Sequence, residues 1–285
     1  MAKRPNRAQT ENRMAAEARE AAKRTQELAA KGMRRRRIII SSSVAAAIVL
    51  ILGGVALGIA LKPKDIVTTD AGPANMASWG IALTGSDGNI TAVRTEATAA
   101  TASPTATVWT GDDADKKHVQ LYLDWACPAC KAFEEGNAEL LTDAVASGEI
   151  TLELFPLAVV DRAYSTDYAT RGANAAACVA DIAPDSFLDV QERMFAAQPA
   201  EGTAGLSNED MIRIIGEAGV TDPKLATCIT DGTYRGWVEA TTNRVAQDES
   251  LRTTIQGRTA FFTPTLATDG KPWDREGTVA DYLTR

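Results

Sequence analysis

Cys127 and Cys130 stand three positions apart, with Pro128 and Ala129 between them. Two thiols at that spacing can close as a short disulfide and be reopened by an attacking thiolate, so the pair is a candidate dithiol–disulfide switch. The same spacing also serves a plain structural disulfide or half of a zinc site. Zinc would require the chain's one histidine, His118, or all four cysteines. The other two, Cys178 and Cys228, are not spaced as Cys-x-x-Cys, and His118 reads as a solvated residue at a strand start. No metal and no cofactor is therefore expected.

A redox pair needs elements that hold it at an edge and ionise one sulfur. Val119, Leu121 and Leu123 alternate with Gln120, Tyr122 and Asp124, the period of a strand. A helix is predicted over 128–146, because proline is tolerated in a first turn and Gly148 is a suitable stop. Phe133, Leu140, Leu141, Ala144 and Val145 are its expected buried stripe. Cys127 would then sit at the helix N-terminus, where unpaired N–H groups and the positive end of the dipole favour a thiolate. It is expected to be the exposed, attacking sulfur, with Cys130 one turn along and pointing inward. Asp124 reads either as a buried carboxylate relaying a proton to Cys130 or as an exposed turn acid.

A second strand over 150–157 completes one β-α-β unit. Five helical stretches follow, at 167–182, 185–197, 207–218, 222–229 and 234–248, with Ser207 and Asp210 as a capping pair. Phe261 to Leu266, a turn at Asp269-Gly270 and a helical run over 278–283 end the chain. Upstream, 80–83 and 90–93 flank Gly85-Ser86-Asp87-Gly88 as a small hairpin within a linker. Thr263-Pro264 reads either as a strand-edge turn or as a cis X-Pro element beside the cysteines.

Charge divides the chain. Residues 1–37 hold twelve Lys/Arg against four Glu, a balance of +8, and residues 38–61 hold no charge. With −7 for the whole chain, residues 62–285 carry −15. Twenty-four uncharged, mostly apolar residues at about 1.5 Å each span roughly 36 Å, enough for a hydrocarbon core of about 30 Å. A single-pass anchor in the cytoplasmic membrane is expected, with the basic end inside and the acidic bulk outside. A cleaved signal peptide is the other reading, for which the leader is long. The basic tail is explained by topology and anionic lipid, so no nucleic-acid partner is expected.

The run Tyr122-Leu123-Asp124-Trp125-Ala126-Cys127-Pro128-Ala129-Cys130, with Thr263-Pro264 downstream, resembles the signature of DsbA-like thioredoxin-fold proteins. Asn174 to Cys178 and Gly232 to Trp237 resemble its membrane-anchored actinobacterial members. The resemblance implies an α/β thioredoxin-like core with an inserted all-helical domain, preceded by one N-terminal transmembrane helix. The implied boundaries are a tail at 1–37, an anchor at 38–61, a linker with the hairpin at 62–116, core at 117–160, helical insertion at 161–250 and core again at 251–285. It also implies that Thr263-Pro264 is cis, that the Thr263 backbone pairs with client peptides, and that Trp125 packs beside the switch and contacts them, core packing alone being the other reading of Trp125. Four cysteines allow three pairings; the resemblance selects Cys127–Cys130 as the redox pair and Cys178–Cys228 as a structural disulfide. The implied activity is thiol–disulfide exchange, as an oxidase of reduced exported proteins that a membrane partner re-oxidises. A reductase or isomerase, or a non-catalytic binding or chaperone module, are the competing readings. Ala129 departs from the pattern: many strong oxidases of the family carry histidine there.

Overall fold

The computed structural model describes residues 71–284. The basic tail and the apolar stretch 38–61 lie outside the described residues, among which no helix is long and apolar enough to cross a membrane. The strands are β1 (Ile81–Ser86), β2 (Asn89–Ala92), β3 (Lys117–Leu123), β4 (Ile150–Pro156), β5 (Thr253–Ile255), β6 (Arg258–Ala260), β7 (Thr265–Thr268) and β8 (Lys271–Pro272). Six form one sheet in the order β2-β1-β4-β3-β7-β8, while β5 and β6 pair as a separate hairpin. Only β3 and β4 run parallel in the main sheet, with Val119 opposite Leu152 and Leu121 opposite Leu154. Helix α1 (Pro128–Ala146) makes the crossover that a parallel pair requires.

Strand β4 is buried at every position, as expected of a strand paired on both edges and covered on both faces. Its one carboxylate, Glu153, accepts hydrogen bonds from Ser78 (2.5 Å), Thr107 (2.6 Å) and Gln120 (3.4 Å). The upstream hairpin is not a linker element: β1 pairs antiparallel with β4 and extends the main sheet. Its turn is fastened to the crossover helix, since the Gly88 N–H donates to the Ala146 carbonyl at 3.1 Å. A Cβ at Gly85 would stand 2.2 Å from the Val145 carbonyl oxygen, so this close approach needs glycine.

The stripe of α1 also differs from expectation. Cys130, Glu134, Leu141, Ala144 and Val145 are buried, whereas Leu140 is 37% exposed. A one-residue step rotates a side chain by about 100° around the axis, so Leu140 cannot share the face of Leu141. Glu134 takes an inward place because the Gln191 amide donates to it at 3.0 Å.

Between β4 and β5 lie α2 (Tyr168–Ile182), α3 (Phe187–Ala196), α4 (Asn208–Glu217), α5 (Pro223–Asp231) and α6 (Arg235–Gln247). In α2 the run Gly172 to Ala180 is wholly buried, and its small side chains let α5 and α6 pack closely against it. Helix α4 begins on Ser207, whose hydroxyl accepts from the Asp210 N–H at 3.1 Å. A last helix, α7 (Val279–Thr284), follows β8.

Cys178 of α2 and Cys228 of α5 are joined by a disulfide across a sequence separation of 50. Closing a loop of that length removes conformational freedom from the unfolded chain worth up to about 4 kcal/mol. The Cys178→Ala/Cys228→Ala double variant should lose about 2–4 kcal/mol of unfolding free energy in urea. Thiol exchange at Cys127 should persist in the variant, because the bridge lies wholly within the helices.

Candidate active site

The site is assembled at the C-terminal end of β3. After Leu123 the chain turns through Asp124, Trp125 and Ala126, with the Cys127 N–H donating to the Asp124 carbonyl at 2.9 Å. Cys127 is the N-cap of α1, in extended conformation, and Pro128 takes the first helical position. Both thiols are buried, Cys127 being 0% exposed and Cys130 2%. The Cys127 Sγ lies 3.8 Å from the Thr263 carbonyl oxygen, and the Thr263–Pro264 bond is cis. The Cys130 Sγ accepts from the Asp124 backbone N–H at 3.4 Å.

These surroundings separate the two sulfurs chemically. A hydrogen bond from the Cys130 thiol holds the Cys127 thiol below its ordinary range. The Cys130 N–H and the Thr263 side chain add to this, while burial and the Asp124 charge oppose it. The Thr263 hydroxyl is buried and has no other hydrogen-bond partner. Cys130 is pushed well above the ordinary thiol range, first by burial and then by its neighbour Cys127. One sulfur is thus prepared to carry negative charge and the other to keep its proton.

Asp124 is fully buried, which excludes the exposed turn acid. One carboxylate oxygen accepts from the Ala126 N–H (2.8 Å), the other from Val159 (2.6 Å) and Val160 (3.0 Å). Burial nevertheless pushes the carboxyl up to about 7. Its contact with Cys130 runs through the backbone, while the carboxylate bonds tie the loop after β4 to the loop before α1.

One expectation is overturned. Cys127 is not exposed: its sulfur lies against the Thr263 carbonyl, and the segment after α3 is hydrogen-bonded to the loop that carries it. The Gln198 amide donates to the Trp125 carbonyl (2.8 Å) and the Cys127 carbonyl (3.1 Å). The Tyr164 hydroxyl spans the Ala126 (2.7 Å) and Pro199 (3.3 Å) carbonyls. Trp125 lies in the core. It is 1% exposed, packs 5.9 Å from the Phe187 ring and points its N–H at Gln191. Trp125 therefore packs the loop before α1 against α3.

Gln198, Tyr164 and Arg275 are residues of the site that no sequence motif marks. Arg275 lies between β8 and α7 and donates to the Pro264 carbonyl at 2.6 Å. His118 is a structural residue, stacked on Trp109 at 5.1 Å and bonded to Thr151. Among the described residues no cluster of His, Cys, Asp and Glu could hold a metal ion.

A thiolate-prone N-cap cysteine facing a cis X-Pro peptide, on a helix that follows a parallel strand, narrows the comparison to one group of folds. A family model described as Thioredoxin matches residues 103–283. The chain belongs to the thioredoxin family. Within it, the chain is a DsbA-like thiol–disulfide oxidoreductase. The reduced form of DsbA from Mycobacterium tuberculosis is 25% identical, with a TM-score of 0.54 over 72% of this chain and 89% of its own. Reduced DsbG from Mycobacterium tuberculosis, described as a disulfide bond oxidoreductase, is 29% identical, with a TM-score of 0.51 over 59% and 75%. Oxidised BdbD from Bacillus subtilis shares the fold at 16% identity and a TM-score of 0.50, over 76% of this chain and 96% of its own. No curated protein matches the chain.

Proposed function

We propose that this thioredoxin-family protein is an extracytoplasmic oxidase that introduces disulfides into exported proteins through Cys127 and Cys130. The observation that carries the reading is Cys127 standing as the N-cap of α1, 3.8 Å from the Thr263 carbonyl of a cis Thr263–Pro264 peptide, with Cys127 biased toward the thiolate and Cys130 toward the thiol. In the oxidised enzyme a client thiolate attacks Cys127, and the Cys130 sulfur leaves and takes up a proton. A mixed disulfide joins the client to Cys127. The client's second thiolate then attacks its own bridged sulfur and releases Cys127 as a stabilised thiolate. Two electrons have passed from the client to the pair, and a membrane partner must remove them. Clients are reduced or unfolded exported proteins, held against the Thr263 backbone beside Cys127. The basic tail, the apolar stretch 38–61 and the acidic remainder support an anchored, outward-facing domain. The Cys178–Cys228 disulfide suits an oxidising compartment.

A reductase or isomerase on the same scaffold would reverse one measurable quantity. Because a stabilised thiolate belongs to the reduced state, an oxidase is more stable reduced than oxidised. The reduced protein is expected to unfold at higher denaturant, by on the order of 1–3 kcal/mol, one unit of thiol pKa being worth about 1.4 kcal/mol. Paired urea titrations of the two forms measure it. Greater stability of the oxidised form would refute the oxidase reading and favour the reductase.

A further inference from the structure

The loop Cys-Pro-Ala-Cys places only proline and alanine between its cysteines, so apart from the Cys130 thiol it brings no side chain, and no positive charge, to stabilise a thiolate. Lys131, the nearest cation on α1, is turned away, toward the Ala196 carbonyl (3.3 Å) and Glu135 (3.9 Å). A different cation is brought in from far along the chain. Arg275 adopts φ 66°, a left-handed backbone conformation that long side chains seldom take. Its Nη2 donates to the Pro264 carbonyl at 2.6 Å, and the carbonyl one residue earlier, that of Thr263, faces the Cys127 sulfur at 3.8 Å. The side chain lines a narrow cleft with Phe133 of α1, Pro264, Leu266 and Trp273. Among the described residues no carboxylate lies within ion-pair distance of Arg275.

We propose that Arg275 is a charge-supplying positioning residue of the redox pair: anchored on the Pro264 carbonyl, its guanidinium provides the positive field that the Cys-Pro-Ala-Cys loop lacks and favours the ionised Cys127 sulfur. The anchor matters as much as the charge. Without the carbonyl, a flexible arginine with access to solvent would spend its time away from the sulfurs. Arg275 is exposed as a residue; partial burial of its guanidinium lowers its own proton affinity, and negative charge on Cys130 and Cys127 opposes this. Of the other groups around Cys127, the Cys130 thiol and N–H and the Thr263 side chain favour ionisation through hydrogen bonds but carry no positive charge, and the charged one, Asp124, opposes it. Tyr164 holds its proton between the Ala126 and Pro199 carbonyls. Glu201 acts on Tyr164 from further out, Tyr168 packs edge-on against Tyr164, and Glu134 is turned to Gln191.

This inference rests on Cys127 being the attacking thiol, and the test separates the two claims. The thiolate absorbance of Cys127 is titrated against pH in the full-length wild type, Arg275→Gln and Arg275→Lys, at low salt and at about 1 M salt. Arg275→Gln is expected to raise the Cys127 pKa by about half to one unit, and Arg275→Lys by less. At about 1 M salt, with a Debye length of about 3 Å, the difference between wild type and Arg275→Gln should shrink. The equilibrium constant with glutathione should move by roughly threefold to tenfold toward a less oxidising pair. If Arg275→Gln titrates with wild type, the inference falls. It falls also if Gln and Lys shift the thiol equally and independently of salt, since the arginine then acts only by shaping the Pro264 strand. Should wild-type Cys127 itself titrate as an ordinary thiol, the oxidase reading fails whatever the variants do.

Discussion

Replacing Cys130 by serine is expected to convert the enzyme into a trap that accumulates mixed disulfides with clients that themselves carry a disulfide, the Cys127 thiolate attacking one client sulfur and the other leaving as a thiolate, while Cys127→Ser forms none. The asymmetry follows from the surroundings of each sulfur. Cys127 is the N-cap of α1 and is held below the ordinary thiol range, so it stays nucleophilic near neutral pH. Cys130 is buried and held well above that range, so it is a poor competitor for any outside disulfide. In Cys130→Ser no intramolecular thiol can release a client bound at Cys127. Oxidation of a reduced test protein should fall by on the order of a hundredfold or more in either variant, because the pair acts as a unit. Non-reducing electrophoresis of each reduced variant mixed with an unfolded client that carries a disulfide reads the adducts directly. If Cys127→Ser handled unfolded clients as well as wild type did, the chain would be a binding module and the redox mechanism would be wrong. Because Cys127 is wholly buried at rest, adduct formation also requires the Gln198 and Tyr164 contacts to loosen, and its rate reports that opening.

The second large effect is a fall in stability as pH rises from 4 to 7, with Asp124 as its main source. The unfolded carboxyl titrates near 3.8, and burial pushes the folded one up to about 7. Below pH 4 both states hold the proton and Asp124 contributes nothing. Between 4 and 7 the folded state keeps a proton that the unfolded state has released. Unfolding then becomes easier by about 1.4 kcal/mol per pH unit, close to 4 kcal/mol across the window. Above 7 both states are ionised and the dependence levels off. Asp124→Asn should remove this slope, leaving the smaller contributions of other carboxyls. Urea titrations of the oxidised forms at pH 4.5 and 7.5 measure the difference between the two proteins without interference from the redox thiols. Equal slopes in wild type and Asp124→Asn would show that the carboxylate is stabilised where it lies, its three N–H partners outweighing desolvation. The same variant should ionise Cys127 more readily, since it removes a negative charge that opposes the thiolate.

Much of the architecture was legible because it depends on neighbours in the chain. Helix α1 runs from Pro128 to Ala146 as the proline and the glycine stop predict. The helices between β4 and β5 begin and end within two residues of their predicted limits, since capping and apolar period are local signals. Leu140 was misplaced because composition marks a residue as apolar, while the helix rotation decides which way it faces. The β1–β2 hairpin was recognisable by its turn, yet pairing with β4, about seventy residues later, carries no mark in either segment.

The active site divides along the same line. By itself the sequence determined the reactive atoms, their spacing and their place at a strand-to-helix junction, because those are properties of a few consecutive residues. Only the tertiary structure decided what surrounds the atoms. It buried Cys127 under contacts from Gln198 and Tyr164, turned Trp125 into core, enclosed the Asp124 carboxylate and brought Arg275 to the Pro264 carbonyl. Each depends on groups well separated along the chain meeting within hydrogen-bond distance. The energy of such a meeting lies in desolvation and geometry, which no local run of residue types records.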